Sequence, residues 1–174
     1  GLALAPWAAS VDAQRGLSAG GESGLWYLGE QLELGLPGKG GPSLVEPVID
    51  SPGQAMAGAG DPQDPDLYYL ADGSGGLRWY VQPPRFEWLW PHLYEIASLT
   101  SLQAARSLAI YPRADQQSRV LYIADQLSGL HVVQAMGRSS ADAHTLTDLG
   151  PLDLGLDLPE DVAVDVGTDR LYVA

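Results

Sequence analysis

Short runs of apolar residues, each closed by a turn rich in Asp, Gly or Ser, follow one another through most of this chain. Val162-Ala163-Val164-Asp165 meets the turn Val166-Gly167-Thr168-Asp169 and continues as Arg170-Leu171-Tyr172-Val173. Leu108-Ala109-Ile110-Tyr111 is joined to Val120-Leu121-Tyr122-Ile123 by a longer connection from Pro112 to Arg119. Runs of this length, rich in β-branched and aromatic residues and bounded by turn formers, predict strands paired as β-hairpins. The Gly-Leu segments that follow, Gly76 to Val81 and Gly129 to Val133, are the expected next antiparallel strands. Gly24 to Leu34 alternates well enough for a strand or hairpin, and Gly35-Leu36-Pro37-Gly38-Lys39-Gly40-Gly41-Pro42 then breaks any regular structure. Residues 1 to 20, small and polar, read as a loosely ordered lead-in, and Ile96 to Arg106 as a short helix or an irregular crossing.

The strands recur as a phrase. Leu67-Tyr68-Tyr69-Leu70-Ala71-Asp72 leads through Ser74-Gly75-Gly76 into Leu77-Arg78-Trp79-Tyr80-Val81, and Leu121-Tyr122-Ile123-Ala124-Asp125 leads through Ser128-Gly129 into Leu130-His131-Val132-Val133. Leu171-Tyr172-Val173-Ala174 opens a third copy. The aligned Tyr69, Tyr122 and Tyr172 are 53 and 50 residues apart, and Gly24-Leu25-Trp26-Tyr27 sits 52 residues before Gly76. A self-similar period of this length built from strands is the signature of a β-propeller blade. The expected architecture is therefore all-β, a partial β-propeller of about three four-stranded antiparallel blades over residues 21 to 174. Strands near a propeller axis are buried on both faces and read as short aliphatics, whereas Tyr and Trp on later strands fill the wider space between sheets. The glycine that opens each Gly-Leu strand is expected to supply the positive φ of a tight connection, which is a structural reason for its presence. Closed propellers need about four to eight blades, so the chain is expected to be part of a larger protein.

Composition narrows the function classes. With 45% apolar residues and near-neutral mean hydropathy, 174 residues suffice for a packed core. Acidic residues outnumber basic ones 22 to 9, and Lys39 is the sole lysine. Such a surface repels nucleic acid and anionic membranes and suits either cations such as Ca²⁺ or simple solubility. The absence of cysteine excludes disulfides, thiolate zinc sites and a cysteine nucleophile, and leaves the compartment open. No apolar run is long enough for a membrane span. Gly1 to Ser10 has the small apolar character of the end of a secretory signal but lacks a basic n-region; read as such a remnant, it implies a secreted or periplasmic protein.

The chemistry-bearing residues are mostly carboxylates. No His-rich metal motif, nucleophile elbow, Walker loop or dinucleotide fingerprint occurs. His92, His131 and His144 are scattered, and His131, inside a predicted strand, reads as structural. One acidic group comprises Asp50, Asp61, Asp64 and Asp66; another comprises Glu160, Asp161 and Asp165, preceded by Asp153 and Asp157. Carboxylates on turns at one end of radial sheets can converge on Ca²⁺, or they can bond their own turns. Pro83 to His92 carries Phe86, Trp88 and Trp90 between prolines, either as a plug between blades or as a stacking surface for a sugar or a partner chain.

These residues resemble the β-propeller phytases. That family has a Glu-(Gly/Pro)-Cys-Val-(Ala/Val)-Asp-Asp tract, a turn, then Leu-Tyr-(Ile/Val) and an acidic pair. Here Pro159-Glu160-Asp161-Val162-Ala163-Val164-Asp165 precedes Asp169-Arg170-Leu171-Tyr172-Val173-Ala174, with the Cys replaced. Upstream, Ile49-Asp50-Ser51-Pro52, Asp61-Pro62, Leu67 to Asp72 and Gly75-Gly76-Leu77 follow the family's Asp-Pro and Gly-Gly-Leu skeleton, but its Trp and His are missing and Gly73 or Ser74 replaces a basic residue. The resemblance covers roughly Asp50 to Ala174.

The resemblance implies Ca²⁺-dependent hydrolysis of phosphate monoesters of myo-inositol hexakisphosphate (phytate), with Asp50, Asp61, Glu160 and Asp165 as candidate metal ligands. Phytate or another phosphorylated small molecule would be the substrate. Metal-assisted hydrolysis of so charged a substrate also needs Lys and Arg to neutralise phosphate, and the lysines are lacking. The implied role is thus accessory more than catalytic, in a parent chain where a second propeller domain follows. The Leu121 to Val133 phrase also resembles non-enzymatic propellers with Leu-Tyr-Val-Ala-Asp…Gly-Leu-x-Val-Val repeats, which implies a protein- or glycan-binding platform.

Overall fold

The computed structural model describes residues 8–12, 16–21, 24–28, 52–64, 67–81, 94–113, 117–137, 143–155 and 158–174. Within them the chain is all-β, with every regular element a strand and every strand pair antiparallel. The first sheet pairs β1 (Ala8–Asp12), β2 (Gly16–Gly21) and β3 (Gly24–Leu28) in chain order. The second is a four-stranded meander of β4 (Ala57–Gly60), β5 (Leu67–Ala71), β6 (Leu77–Val81) and β7 (Tyr94–Leu99). The third repeats that order with β8 (Ala105–Pro112), β9 (Ser118–Asp125), β10 (Gly129–Met136) and β11 (Thr145–Leu152). The hairpin of β12 (Val162–Asp165) and β13 (Arg170–Val173) forms the last sheet.

The repeated phrase maps onto equivalent strands. Leu67-Tyr68-Tyr69 opens β5, Leu121-Tyr122-Ile123 lies in β9 and Leu171-Tyr172-Val173 in β13, each the second strand of its sheet. The hairpins expected at Leu108 to Ile123 and at Val162 to Val173 are present as β8–β9 and β12–β13. Two segments differ from the sequence reading. Ile96 to Arg106 is neither helix nor irregular throughout: it ends β7, turns, and begins β8, because pairing of Leu77 with Leu99 and Arg78 with Ser98 holds the segment in the sheet while Ile96, Ala97 and Leu99 pack against the core. Residues 1 to 20, read as a lead-in, contribute β1 and β2, whose small residues carry no apolar alternation for a sequence reading to detect. The Gly35 to Pro42 breaker and the Pro83 to His92 aromatic group lie outside the described residues.

The core lies between sheets. Leu67, Tyr69, Leu77 and Trp79 of the second sheet pack with Leu108, Leu121, Ile123 and Val133 of the third. Tyr69 and Trp79, cross-strand partners of the second sheet, stack at 5.2 Å between ring centroids and fill the space toward the third sheet, whereas Tyr172 of β13 is exposed. On the other side of the third sheet, Ala109, Ala124 and Leu130 cluster with Val162, and Val164 and Leu171 pack against them. The first strand of the third sheet, β8, contacts both β4 and β12, the first strands of its neighbours. The second and third sheets are also joined through backbone, since Gly73 and Ala105 exchange two N–H···O bonds of 3.1 Å.

The glycine expectation holds at both tight turns, where Gly76 has φ 81° and Gly129 φ 96°. A Cβ at Gly76 would lie 2.1 Å from the Leu99 carbonyl oxygen, whereas one at Gly129 meets nothing within 4 Å. Gly129→Ala therefore isolates the conformational cost, about 1–2 kcal/mol, and Gly76→Ala adds a backbone clash to it. Urea unfolding of the two variants is expected to rank Gly76→Ala as the more damaging; equal losses would contradict this account.

Candidate functional site

The acidic residues that close the repeated phrase serve the backbone. Asp125, fully buried, accepts at Oδ1 from the N–H groups of Leu127 (2.9 Å) and Ser128 (3.0 Å) in its own turn. At Oδ2 it accepts from Gln103 (2.8 Å) and Ala104 (2.9 Å) just before β8. One carboxylate thus ties the β9–β10 turn to the lead into the first strand of the same sheet. Burial by itself would raise the Asp125 carboxyl, but these N–H donors and the Ser128 hydroxyl hold it below the usual carboxylate range. Asp72, at the matching position, accepts at Oδ2 from the Gly53 N–H (3.1 Å), likewise ahead of the first strand, and from Arg78 Nε (2.8 Å). Arg78 also donates through Nη1 to Glu95.

The candidate metal ligands among the described residues, Asp61, Glu160 and Asp165, fall in separate places. Asp61 is buried, and its Oδ2 accepts from Arg119 Nε at 2.6 Å, linking the second and third sheets. Its Oδ1 accepts from the Gln63 (2.8 Å) and Asp64 (3.2 Å) N–H groups, an Asx turn. Burial, and then the Asp61 charge beside it, push the Tyr69 hydroxyl far above its ordinary range. Glu160 is exposed and accepts from Gln126 Nε2. Its neighbour Asp161 accepts from Ser107 Oγ (2.6 Å) and the Val162 N–H (2.9 Å). Asp165 is exposed at the β12–β13 turn and accepts from the N–H groups of Gly167 and Thr168 and from the Thr168 hydroxyl (2.7 Å). That hydroxyl, foremost, lowers its carboxyl; burial opposes it, and the two N–H groups add to the lowering. Asp50, Asp66 and Asp157 lie outside the described residues. Among the described residues, no group of three or more His, Asp or Glu is placed to hold a metal ion.

One constellation is absent from the sequence reading. His131, only 7% exposed, has Nδ1 3.1 Å from both carboxylate oxygens of Asp148 and Nε2 2.9 Å from Ser128 Oγ. A β-bulge assembles it. Val133 pairs with Asp148 but His131 pairs with Pro151, so Leu149 and Gly150 together oppose Val132, with Gly150 at φ 97°. Side chains two apart on a strand share a face, so Asp148, opposite Val133, lies on the face of His131. The Gly150 N–H donates to Asp148 Oδ1 at 2.8 Å and fixes the carboxylate. With Nδ1–H donated to Asp148, Nε2 is left to accept the Ser128 hydroxyl proton, for which Asp125 also competes. The Asp148-Leu149-Gly150-Pro151 stretch was the available signal, since Gly-Pro inside a strand marks a bulge.

The chain finds no match among protein-family models, curated proteins or solved structures. Among the described residues no helix is long and apolar enough to cross a membrane.

Proposed function

We propose that the meandering sheets are blades of a partial β-propeller, and that this segment is an accessory platform of a phytase-like protein, not its phosphate-hydrolysing unit. The observation that carries this reading is the employment of the charged groups. Of the carboxylates that the resemblance assigns to Ca²⁺, Asp61 is bonded to Arg119 and to its own turn, and Asp165 to its own turn. The guanidinium groups of Arg78 and Arg119 are paired with carboxylates and so are not offered to phosphate. Ca²⁺ asks for six to eight oxygens, and phosphate ester hydrolysis asks for cations facing the substrate. A binding platform is the second reading, favoured by the exposed Leu149, Leu152, Leu154 and Leu158 on β11 and the segment after it.

Calorimetric titration of the folded chain with CaCl₂, together with phosphate release from phytate in its presence, tests the proposal. The expected result is no saturable Ca²⁺ binding below about millimolar concentration and no phosphate released. Binding of several Ca²⁺ with measurable release would assign the segment to catalysis.

A further inference from the structure

We propose that Ser128, His131 and Asp148 form a nucleophilic triad able to take the acyl group from small activated carboxylic esters. The line Oγ–Nε2, Nδ1–carboxylate has the connectivity that acyl transfer requires: nucleophile to base, base to a carboxylate that sets its tautomer. Spacings of 2.9 Å and 3.1 Å are within hydrogen-bond reach. Exposure divides as the chemistry demands, since Ser128 is exposed on the β9–β10 turn while His131 is buried beneath it. The bulge at Leu149 and Gly150 and the Gly150 N–H hold Asp148 in place, so the base is oriented before any substrate arrives.

In the first half-reaction, Ser128 Oγ bonds to the carbonyl carbon as its proton passes to His131 Nε2, and the carbonyl π pair moves to oxygen. Collapse breaks the bond to the leaving oxygen, which departs with the proton from Nε2. Water then attacks the acyl-serine, gives a proton to Nε2, and collapse returns that proton to Ser128 Oγ. The sum is ester plus water to carboxylic acid plus alcohol. The Ser128 N–H is already donated to Asp125 Oδ1 at 3.0 Å, so the nucleophile's own amide does not stabilise the oxyanion. This restricts the substrate class to esters with good leaving groups, such as aryl esters, whose reaction leans least on oxyanion donors.

The test is labelling of the folded full chain with a fluorophosphonate, located by peptide mass mapping, alongside turnover of p-nitrophenyl acetate. The expected result is one adduct on Ser128, absent in Ser128→Ala, with labelling slowed about 100-fold or more in His131→Gln. Circular dichroism and thermal melts of each variant separate lost chemistry from lost fold. Asp148→Asn is expected to slow labelling as well, and Asp148→Glu to restore part of it, a rescue that a role in packing alone does not give. No adduct on folded protein, an adduct only at another serine, or undiminished labelling in folded His131→Gln would each overturn the proposal.

Discussion

Asp125→Ala is expected to destabilise the chain by about 2–4 kcal/mol, measured as a shift in urea unfolding. The four amides that Asp125 accepts are not equal in this loss. Leu127 and Ser128 sit at an exposed turn and can turn to water, whereas the Gln103 and Ala104 amides lead straight into β8 against the fully buried Leu102 and Ala105. The greater part of the cost arises there, from donors left unpaired and from a looser start to the third sheet. An asparagine side chain at this position would keep an acceptor for one pair of amides and lose the other, so Asp125→Asn is expected to cost about half as much. An asparagine variant as stable as the parent would show that only one carboxylate oxygen matters. The pH dependence has a definite sign. The folded Asp125 carboxyl titrates below its unfolded value, so its contribution is complete above about pH 4 and is lost as pH falls through the folded value. The alanine variant should therefore lose less stability between neutral and acid pH than the parent does.

What the sequence disclosed and what it hid divide along physical lines. Strand periodicity and turn chemistry are local, and they were legible: the β8–β9 and β12–β13 hairpins and the positive φ of Gly76 and Gly129 were expected from the residues themselves. Strand β4, Ala57-Gly58-Ala59-Gly60, was not, because its residues are chosen for smallness; a Cβ at Gly58 would strike the Tyr68 ring. Strand β7 was missed because Tyr94-Glu95-Ile96-Ala97-Ser98-Leu99 is an outer strand without strict alternation: Ile96, Ala97 and Leu99 pack against the core across a register shift in its pairing with β6. Side-chain employment was the least legible. Asp61 and Asp165 are alike in sequence, yet one is buried against an arginine 58 positions away and the other turns on its own backbone. The Ser128–His131–Asp148 line depends on a register shift of β11 against β10, which spacing alone does not determine.

Arg119→Met is expected to produce the largest single loss of stability, about 3–5 kcal/mol, because it leaves a buried carboxylate without its cation. Arg119 is 1% exposed and Asp61 5% exposed, so water cannot readily replace the lost partner. The pair also spans two sheets, β9 of the third and the segment after β4 of the second, so its failure loosens the contact of Tyr69, Leu121 and Ile123 around it. The cost belongs to the breaking of the pair more than to its presence. A buried ion pair offsets the desolvation of both groups with little surplus, so removing both charges together is far milder than removing one. Asp61→Asn retains an acceptor for the Gln63 and Asp64 amides while dropping the charge. The double variant Asp61→Asn/Arg119→Met should therefore recover at least about 1–2 kcal/mol relative to the sum of the two single variants, a coupling within the range for residues in direct contact. Urea unfolding of the parent, both single variants and the double variant gives this coupling. Strict additivity would mean that Asp61 and Arg119 act on stability through separate partners, and the intersheet ion pair would then have no energetic role of its own.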